Sequence, residues 1–233
     1  MTKSIKTILV AAVLGGAASV VNAAIVVPTG LNPGDKYHLV FVTSTTRDAT
    51  STAIADYNAF VQLAANAAGI GSGDGVDWFA IGSTETVAAR DNAVVGANTP
   101  VYLLNGTTKV ADNFADMWNG NIDFKINRTE TGATYSGLVW TGSAGDGKIP
   151  DWGYQWLGDN RFGGTIDEEG PVRGSANAAN SVWIDNGGAV STTLLPFYAL
   201  SEELTVQSVP EPGTMGLLGL ASVALLLRRR RKN

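Results

Sequence analysis

Cysteine is absent from the 233-residue chain, and His38 is its only histidine. The lack of cysteine excludes disulfide scaffolds, thiolate zinc sites, iron–sulfur clusters and thiol catalysis, and a single histidine excludes a multi-histidine metal centre. Charged residues are also scarce, at 16% against roughly 25% in an average soluble chain. An apolar share of 45% is too high for a disordered chain, and the length suits one folded domain with appendages.

Basic residues are scarce in the middle of the chain and concentrated at its ends. Between residues 24 and 208, nine basic side chains face twenty acidic ones, a net charge of −11. Such a body repels DNA, RNA and anionic polysaccharides. We therefore expect no nucleic-acid partner.

The first 23 residues have the pattern of a secretory signal peptide. Lys3 and Lys6 precede an apolar run over residues 8–21, and the small residues Ala23 and Ala24 follow shortly after it. This pattern predicts export and cleavage by signal peptidase between Ala23 and Ala24. The alternative is a retained membrane anchor, although the run is short for the ~20 residues of a membrane span.

The last 25 residues form a second unusual segment, residues 209–233. Two prolines open it, residues 213–227 carry no charge, and a basic block follows. The apolar stretch predicts a short transmembrane helix with the basic block on the cytoplasmic side, so that the body lies outside. The residues expected to direct sorting and processing are Val209, Pro210, Glu211, Pro212, Arg228, Arg229, Arg230 and Arg231.

These three features, in this order and spacing, resemble the PEP-CTERM sorting signal of Gram-negative bacteria that make exopolysaccharide. The resemblance implies an exosortase-type membrane protease as partner, cutting near Pro210, Glu211 and Pro212. The protein would be anchored in the inner membrane transiently and then reach the cell surface or the extracellular space. A plain single-span anchor is the alternative reading of the tail.

Residues 24–208 show no repeat or long linker and predict one α+β domain. A strand over residues 36–44 is apolar enough to be covered on both faces. A helix over residues 50–68 has Ser51 or Thr52 as N-cap and Gly69 as stop. The remaining expected elements are a strand at 77–81, a helix at 84–93 capped by Ser83, a hairpin turning at 105–106, a short helix with Phe114, Met117 and Trp118, a loop-rich β region after 120, and a closing strand at 197–206.

This order of elements resembles the endostatin-like branch of the C-type-lectin-like fold. The resemblance rests on residues 54–69, 78–90 and 100–104, on the block Val139-Trp140-Thr141-Gly142-Ser143 with residues 145–148, and on Trp156 and residues 198–202. It implies a lectin-like extracellular domain with two helices and an antiparallel loop-rich region, whose first and last strands pair. The family's disulfides, zinc-binding histidines, heparin-binding arginines and calcium-and-sugar signature have no counterparts here, so those properties are not transferred.

Aromatic and acidic residues in glycine-rich loops are the candidates for ligand binding. We expect Trp140 and Trp183 to be core residues, and Trp152 and Trp156 to be more exposed. An aromatic platform for sugar rings would comprise Trp152, Tyr154 and Trp156, flanked by Asp151, Asp159 and Arg161. Weak candidates for Ca²⁺, which prefers hard oxygen ligands, are Asp146, Asp159, Asp167 and Asp185. The alternative is that these Asx residues only build turns.

Catalysis is not expected. Carboxylate pairs such as Asp151 with Asp159 could run glycoside hydrolysis only if they faced each other across a bond, and no hydrolase signature is present. His38 lies in a buried strand and is read as a packed core histidine. The sequence thus predicts a non-catalytic surface or matrix protein that binds polysaccharide or protein in a biofilm. A self-associating structural surface protein and a secreted glycoside hydrolase are the alternatives.

Overall fold

The structure is a computed structural model that describes residues 25–71, 73, 75–151, 155–159 and 170–208. It mixes helices and strands, as the sequence predicts. In chain order the elements are β1 Lys36–Val42, α1 Ile54–Ala67, β2 Trp78–Ala80, α2 Ala89–Asn92, β3 Val101–Leu103, β4 Lys109–Ala111, α3 Phe114–Met117, β5 Leu138–Trp140, β6 Arg173–Ser175, a 3₁₀ turn Ser181–Trp183, β7 Tyr198–Ser201 and β8 Leu204–Thr205.

β1 is the central strand of the main sheet, whose order is β2-β7-β1-β3-β4, with β8 paired to the start of β1. The expected pairing of the first and last strands is confirmed, since Val40 lies opposite Leu200 in an antiparallel register. β1 and β3 are parallel, so the main sheet is mixed. A parallel neighbour requires a long crossover, which α1, β2 and α2 provide. In the loop-rich region, β5 and β6 pair antiparallel.

Alternate side chains of β1 enter two different hydrophobic cores. Leu39 and Phe41 pack on the side of α1, whereas Val40 and Val42 pack on the opposite side. Every residue of β1 after Lys36 is buried, so the expectation of a strand covered on both faces is confirmed. Trp140 and Trp183 are 0% exposed, in agreement with their expected core positions.

The predicted helix caps hold only in part. The N-cap of α1 is Ala53, which has no side chain able to cap, so the expectation of Ser51 or Thr52 was wrong. Ser51 Oγ instead accepts a hydrogen bond from the Ala53 N–H and donates one to Asp56 Oδ2, at 3.2 and 2.6 Å. Ser51 therefore organises the turn before the helix. Gly69 follows α1 with φ +75°, as predicted for a helix stop.

The second predicted helix and the closing strand are both shorter than expected. α2 spans only Ala89–Asn92, because the Thr84 N–H bonds to Val87 O in a separate turn. Ser83 still serves the helix, since its Oγ accepts from the Ala89 N–H at 2.9 Å. The closing strand divides into β7 and β8 at Glu202, because the Glu202 N–H donates to Asp77 O.

The hairpin and the third helix form as the sequence predicts. β3 and β4 are joined through Gly106, whose φ is +67°, a conformation that glycine adopts without strain. Asn105 Oδ1 accepts from the backbone N–H groups of Thr107 and Thr108. Asn113 Oδ1 accepts from the Asp116 N–H at 3.1 Å and so caps α3.

Among the described residues, no helix is both long and apolar enough to cross a bilayer. The transmembrane helix predicted at residues 213–227 lies outside those residues, as does the signal peptide predicted at residues 1–23.

Candidate functional site

Trp156 lies on a short segment that is hydrogen-bonded to two separate loops of the body. The N–H of the next residue, Leu157, donates to Ser83 O at 2.8 Å, and the Gly158 N–H donates to Ala49 O at 2.8 Å. Leu157 is completely buried and anchors the segment in the core beside α1. Trp156 itself is half-buried, on a backbone that these hydrogen bonds hold in place.

The acidic neighbours proposed for a sugar site differ in exposure. Asp151 is exposed, whereas Asp159 is 7% exposed, and the Asp159 N–H donates to Trp156 O at 3.2 Å. The other members of the predicted platform, Trp152, Tyr154 and Arg161, lie outside the described residues. Trp156 therefore lies, in sequence, between an exposed and a buried carboxylate.

The acidic residues proposed as Ca²⁺ ligands each have different surroundings. Asp146 pairs with Lys148. Partial burial acts to raise the pKa of Asp146, but hydrogen bonds and charge from Lys148 outweigh it and lower this pKa. Burial raises the pKa of Asp185. Asp159 is described above, and Asp167 lies outside the described residues.

Among the residues that the structure describes, one group of three carboxylates converges, and the sequence reading had not singled it out. Asp112, Asp116 and Asp123 place oxygen atoms within 4.8 Å of one another. Lys109 already neutralises part of this charge through ion pairs with Asp112 and Asp123. The ammonium group of Lys109 thus occupies the position of the counter-ion, and the cluster is an exposed surface network.

His38 is buried, as expected, and both of its ring nitrogens have backbone partners. Nδ1 lies 3.0 Å from Ser201 O, and Nε2 accepts a hydrogen bond from the Gly96 N–H at 3.3 Å. This pattern corresponds to a neutral ring protonated on Nδ1. Burial lowers the pKa of His38, against the opposing effects of the backbone carbonyls and Glu203. The imidazole is therefore a structural group linking β1 to the end of β7.

A cavity of about 340 Å³ opens at the α1 side of the sheet. It lies between the segment that begins at Ile25, the end of α1, the tip of the β3–β4 hairpin and the loop at residues 128–132. Its lining residues are Ile25, Val26, Leu39, Ala68, Ile70, Leu104, Asn105, Arg128, Glu130, Thr131 and Gly132. None of the site residues predicted from the sequence, as far as the structure describes them, lines this cavity.

Sequence reasoning missed this cavity because its walls come from five separate stretches of chain. The strand at residues 36–44, the helix over residues 50–68 and the Asn105-Gly106 turn were each predicted, but no local pattern indicates that they enclose a hollow. Arg128 and Glu130 belong to a stretch whose sequence predicts only irregular structure, and nothing in their spacing indicates that they face a hollow.

Residues 208–231 match the model of the PEP-CTERM protein-sorting motif. The chain therefore carries the C-terminal signal of exosortase substrates, which is the signal of exported proteins sorted at the membrane. The match extends over the tail and does not reach residues 25–207. No curated protein matches the chain.

Proposed function

We propose that this protein is a surface-directed, non-catalytic binding module whose C-type-lectin-like body binds polysaccharide in the extracellular matrix of a biofilm. Export and tail sorting follow from the PEP-CTERM motif. After the exosortase-type protease acts on the tail, the acidic body would remain at the cell surface or outside the cell. The lectin-like assignment is supported by the pairing of β1 with β7 and by the position of α1 after β1.

The observation that carries the binding role is the partly exposed Trp156 on its fixed segment. Sugar rings stack on aromatic faces, and a rigid aromatic contributes contact area at a low entropic cost. The exposed carboxylate of Asp151 can accept hydrogen bonds from sugar hydroxyls. Since the body carries a net charge of −11, we expect the ligand to be a neutral polysaccharide.

Retention of the full chain, held in lipid nanodiscs, on immobilised polysaccharides tests this proposal. We expect retention on at least one neutral envelope polysaccharide, loss of retention in Trp156→Ala, and partial retention in Trp156→Phe. Phe124→Ala is the matched control, because Phe124 is an aromatic with 40% exposure on another part of the surface. Melting temperatures of the variants report whether each one still folds.

Four results would contradict the proposal and point elsewhere. Retention that is equal in Trp156→Ala and in the wild type would remove Trp156 from the site. Concentration-dependent oligomers without any added ligand would favour the self-associating structural protein. Release of new reducing ends from a polysaccharide would favour a secreted glycoside hydrolase. Capture of a defined surface protein, with no polysaccharide retained, would replace the sugar by a protein ligand.

A further inference from the structure

The cavity beside α1 has an apolar interior. Leu39 on β1 and Ile70 after α1 form part of its wall, and they are 0% and 8% exposed. Ala68, Leu104, Ile25 and Val26 complete the aliphatic lining. Protein interiors rarely leave such volumes open, and apolar pockets with few polar groups are typical binding sites for small molecules.

The rim loop at residues 128–132 is held rigidly at the cavity mouth. The Val42 N–H donates to Arg128 O at 2.8 Å, which attaches the loop to the end of β1. Within the loop, the Gly132 N–H donates to Thr129 O at 2.9 Å. Glu130 accepts hydrogen bonds from the backbone N–H and the hydroxyl of Ser44. The mouth is therefore preorganised, which reduces the entropic cost of binding.

The opposite rim is fixed by the β3–β4 hairpin. The Thr29 N–H donates to Gly106 O at 2.8 Å, which attaches the N-terminal segment to the hairpin tip. A methyl group added at Gly106 would meet Val26 Cγ1 at 2.6 Å, so the two pieces lie in close contact. Ile25 and Val26 are thereby held as a wall of the cavity.

The charged groups at the mouth are not equivalent. Both carboxylate oxygens of Glu130 are occupied by Ser44. Arg128 uses one terminal nitrogen, Nη1, for Thr134 Oγ1 at 2.8 Å and Gly132 O at 3.4 Å. Among the described residues no carboxylate lies within 4.0 Å of the Arg128 guanidinium, although the body is acidic overall. A guanidinium without a carboxylate partner beside an apolar hollow favours an anionic head group.

We propose that this cavity binds a small monocarboxylate with an apolar body. The apolar body lies against Leu39, Ala68, Ile70 and Leu104, and the carboxylate accepts hydrogen bonds from Arg128. This site is separate from the Trp156 site, so either proposal can fail without the other. The carboxylate could belong to an aliphatic chain of lipid origin or to an aromatic acid, and both share the recognition chemistry.

Titration calorimetry of the full chain in nanodiscs, referenced to empty nanodiscs, tests the head-group requirement. The probes 3-phenylpropanoate, 3-phenylpropan-1-ol and 3-phenylpropylammonium share one apolar body and differ in charge, and hexanoate supplies the aliphatic body. We expect at least one of the two carboxylates to bind. Its affinity should be about tenfold higher than that of the alcohol and the ammonium, because one charge-assisted hydrogen bond at a partly solvated site contributes about that factor. Which carboxylate binds identifies the shape of the body.

Two pairs of variants test the location. Ala68→Phe fills the cavity from the end of α1, and Ala67→Phe is its matched control, because Ala67 is exposed and absent from the lining. Arg128→Gln removes the rim charge, and Lys125→Gln is its control, because Lys125 is a nearby cation that bonds to Asn177. We expect Ala68→Phe to abolish carboxylate binding, Arg128→Gln to weaken it about tenfold, and both controls to bind as the wild type does.

Binding of neither carboxylate would overturn the proposal. So would equal affinity for the carboxylate and the ammonium, or undiminished binding in Ala68→Phe. If Arg128→Gln fails to fold, the comparison of Ala68→Phe with Ala67→Phe and the comparison of the three head groups still decide the outcome.

Discussion

Asn58 and Asn92 bind each other through both of their side-chain amides. Asn58 Nδ2 donates to Asn92 Oδ1 at 2.9 Å, and Asn92 Nδ2 donates to Asn58 Oδ1 at 2.8 Å. The same pair also binds the backbone of Ala80. Asn58 Oδ1 accepts a hydrogen bond from the Ala80 N–H, and Asn92 Nδ2 donates one to the Ala80 carbonyl. Two side chains on α1 and α2 thus complete the hydrogen bonding at the end of β2, on the sheet edge.

The amide pair leads to a stability prediction. Asn58→Ala leaves the buried Ala80 N–H without its acceptor, and we expect it to lower the free energy of unfolding by about 1–3 kcal/mol. Asn121→Ala, at an exposed asparagine, is the control and should change it by less than about 0.5 kcal/mol. Urea unfolding followed by tryptophan fluorescence measures both variants. Equal stability of the two variants would show that the network is dispensable.

A glycine in β6 marks a close approach between two stretches of backbone. A methyl group placed at Gly174 would lie 2.0 Å from Trp183 O and 2.8 Å from Trp183 C, and these backbone atoms cannot rotate away. We expect Gly174→Ala to destabilise the fold by several times more than Gly145→Ala, whose new methyl group would meet nothing within 4 Å. Thermal unfolding of both variants measures the difference, and similar melting temperatures would contradict the close packing of β6 on the 3₁₀ turn.

The elements that the sequence predicts best are those determined by local chemistry. The burial of both faces of β1, the glycine stop at Gly69 and the turn at Asn105-Gly106 each depend on a few neighbouring residues, and each is confirmed. The caps and lengths that were wrong depend on tertiary partners. The closing strand, for example, is interrupted where the Glu202 N–H donates to Asp77 O, and no local pattern indicates a partner so far away in the sequence.

The candidate sites divide in the same way. Trp156 could be proposed from its glycine-rich setting, because its solvent exposure follows from local composition. The cavity could not be proposed, because Leu39, Ala68, Leu104 and Arg128 meet only once the sheet, the helix and the hairpin have packed. The sorting signal needs no packing, since the match at residues 208–231 depends on a linear order of residues.

The tail leads to a prediction about processing in the cell. Replacing Pro210, Glu211 and Pro212 by alanine removes the residues at which an exosortase-type protease would cut, and we expect the uncut precursor to accumulate in the inner membrane. The wild type should be found at the cell surface or in the medium as a shorter species. Immunoblots of separated cell fractions measure both, with Glu203→Gln in the body as the control. A shortened species in the alanine variant would mean that cleavage occurs elsewhere.

The buried imidazole of His38 makes stability depend on pH in a defined direction. Burial lowers the pKa of His38 in the folded protein, while in the unfolded chain it is about 6.5. The unfolded state therefore binds the proton first as the pH falls, and stability is lost from about pH 6.5 downward towards the folded pKa. Protonation would also place a hydrogen on Nε2, where the Gly96 N–H now donates.

The loss of stability caused by His38 occurs at a higher pH than the loss caused by protonation of the carboxylates. Hydrogen bonds from Lys36 and Thr99 lower the pKa of Glu203, so its contribution is lost only below about pH 4.5, where the unfolded carboxyl begins to protonate. We expect the urea midpoint of the wild type to decrease as the pH is lowered from 7.5 to 5.5. The midpoint of His38→Gln should stay nearly constant over the same range. A wild-type midpoint that does not change between these pH values would mean that the folded protein accommodates a charged imidazole at this position.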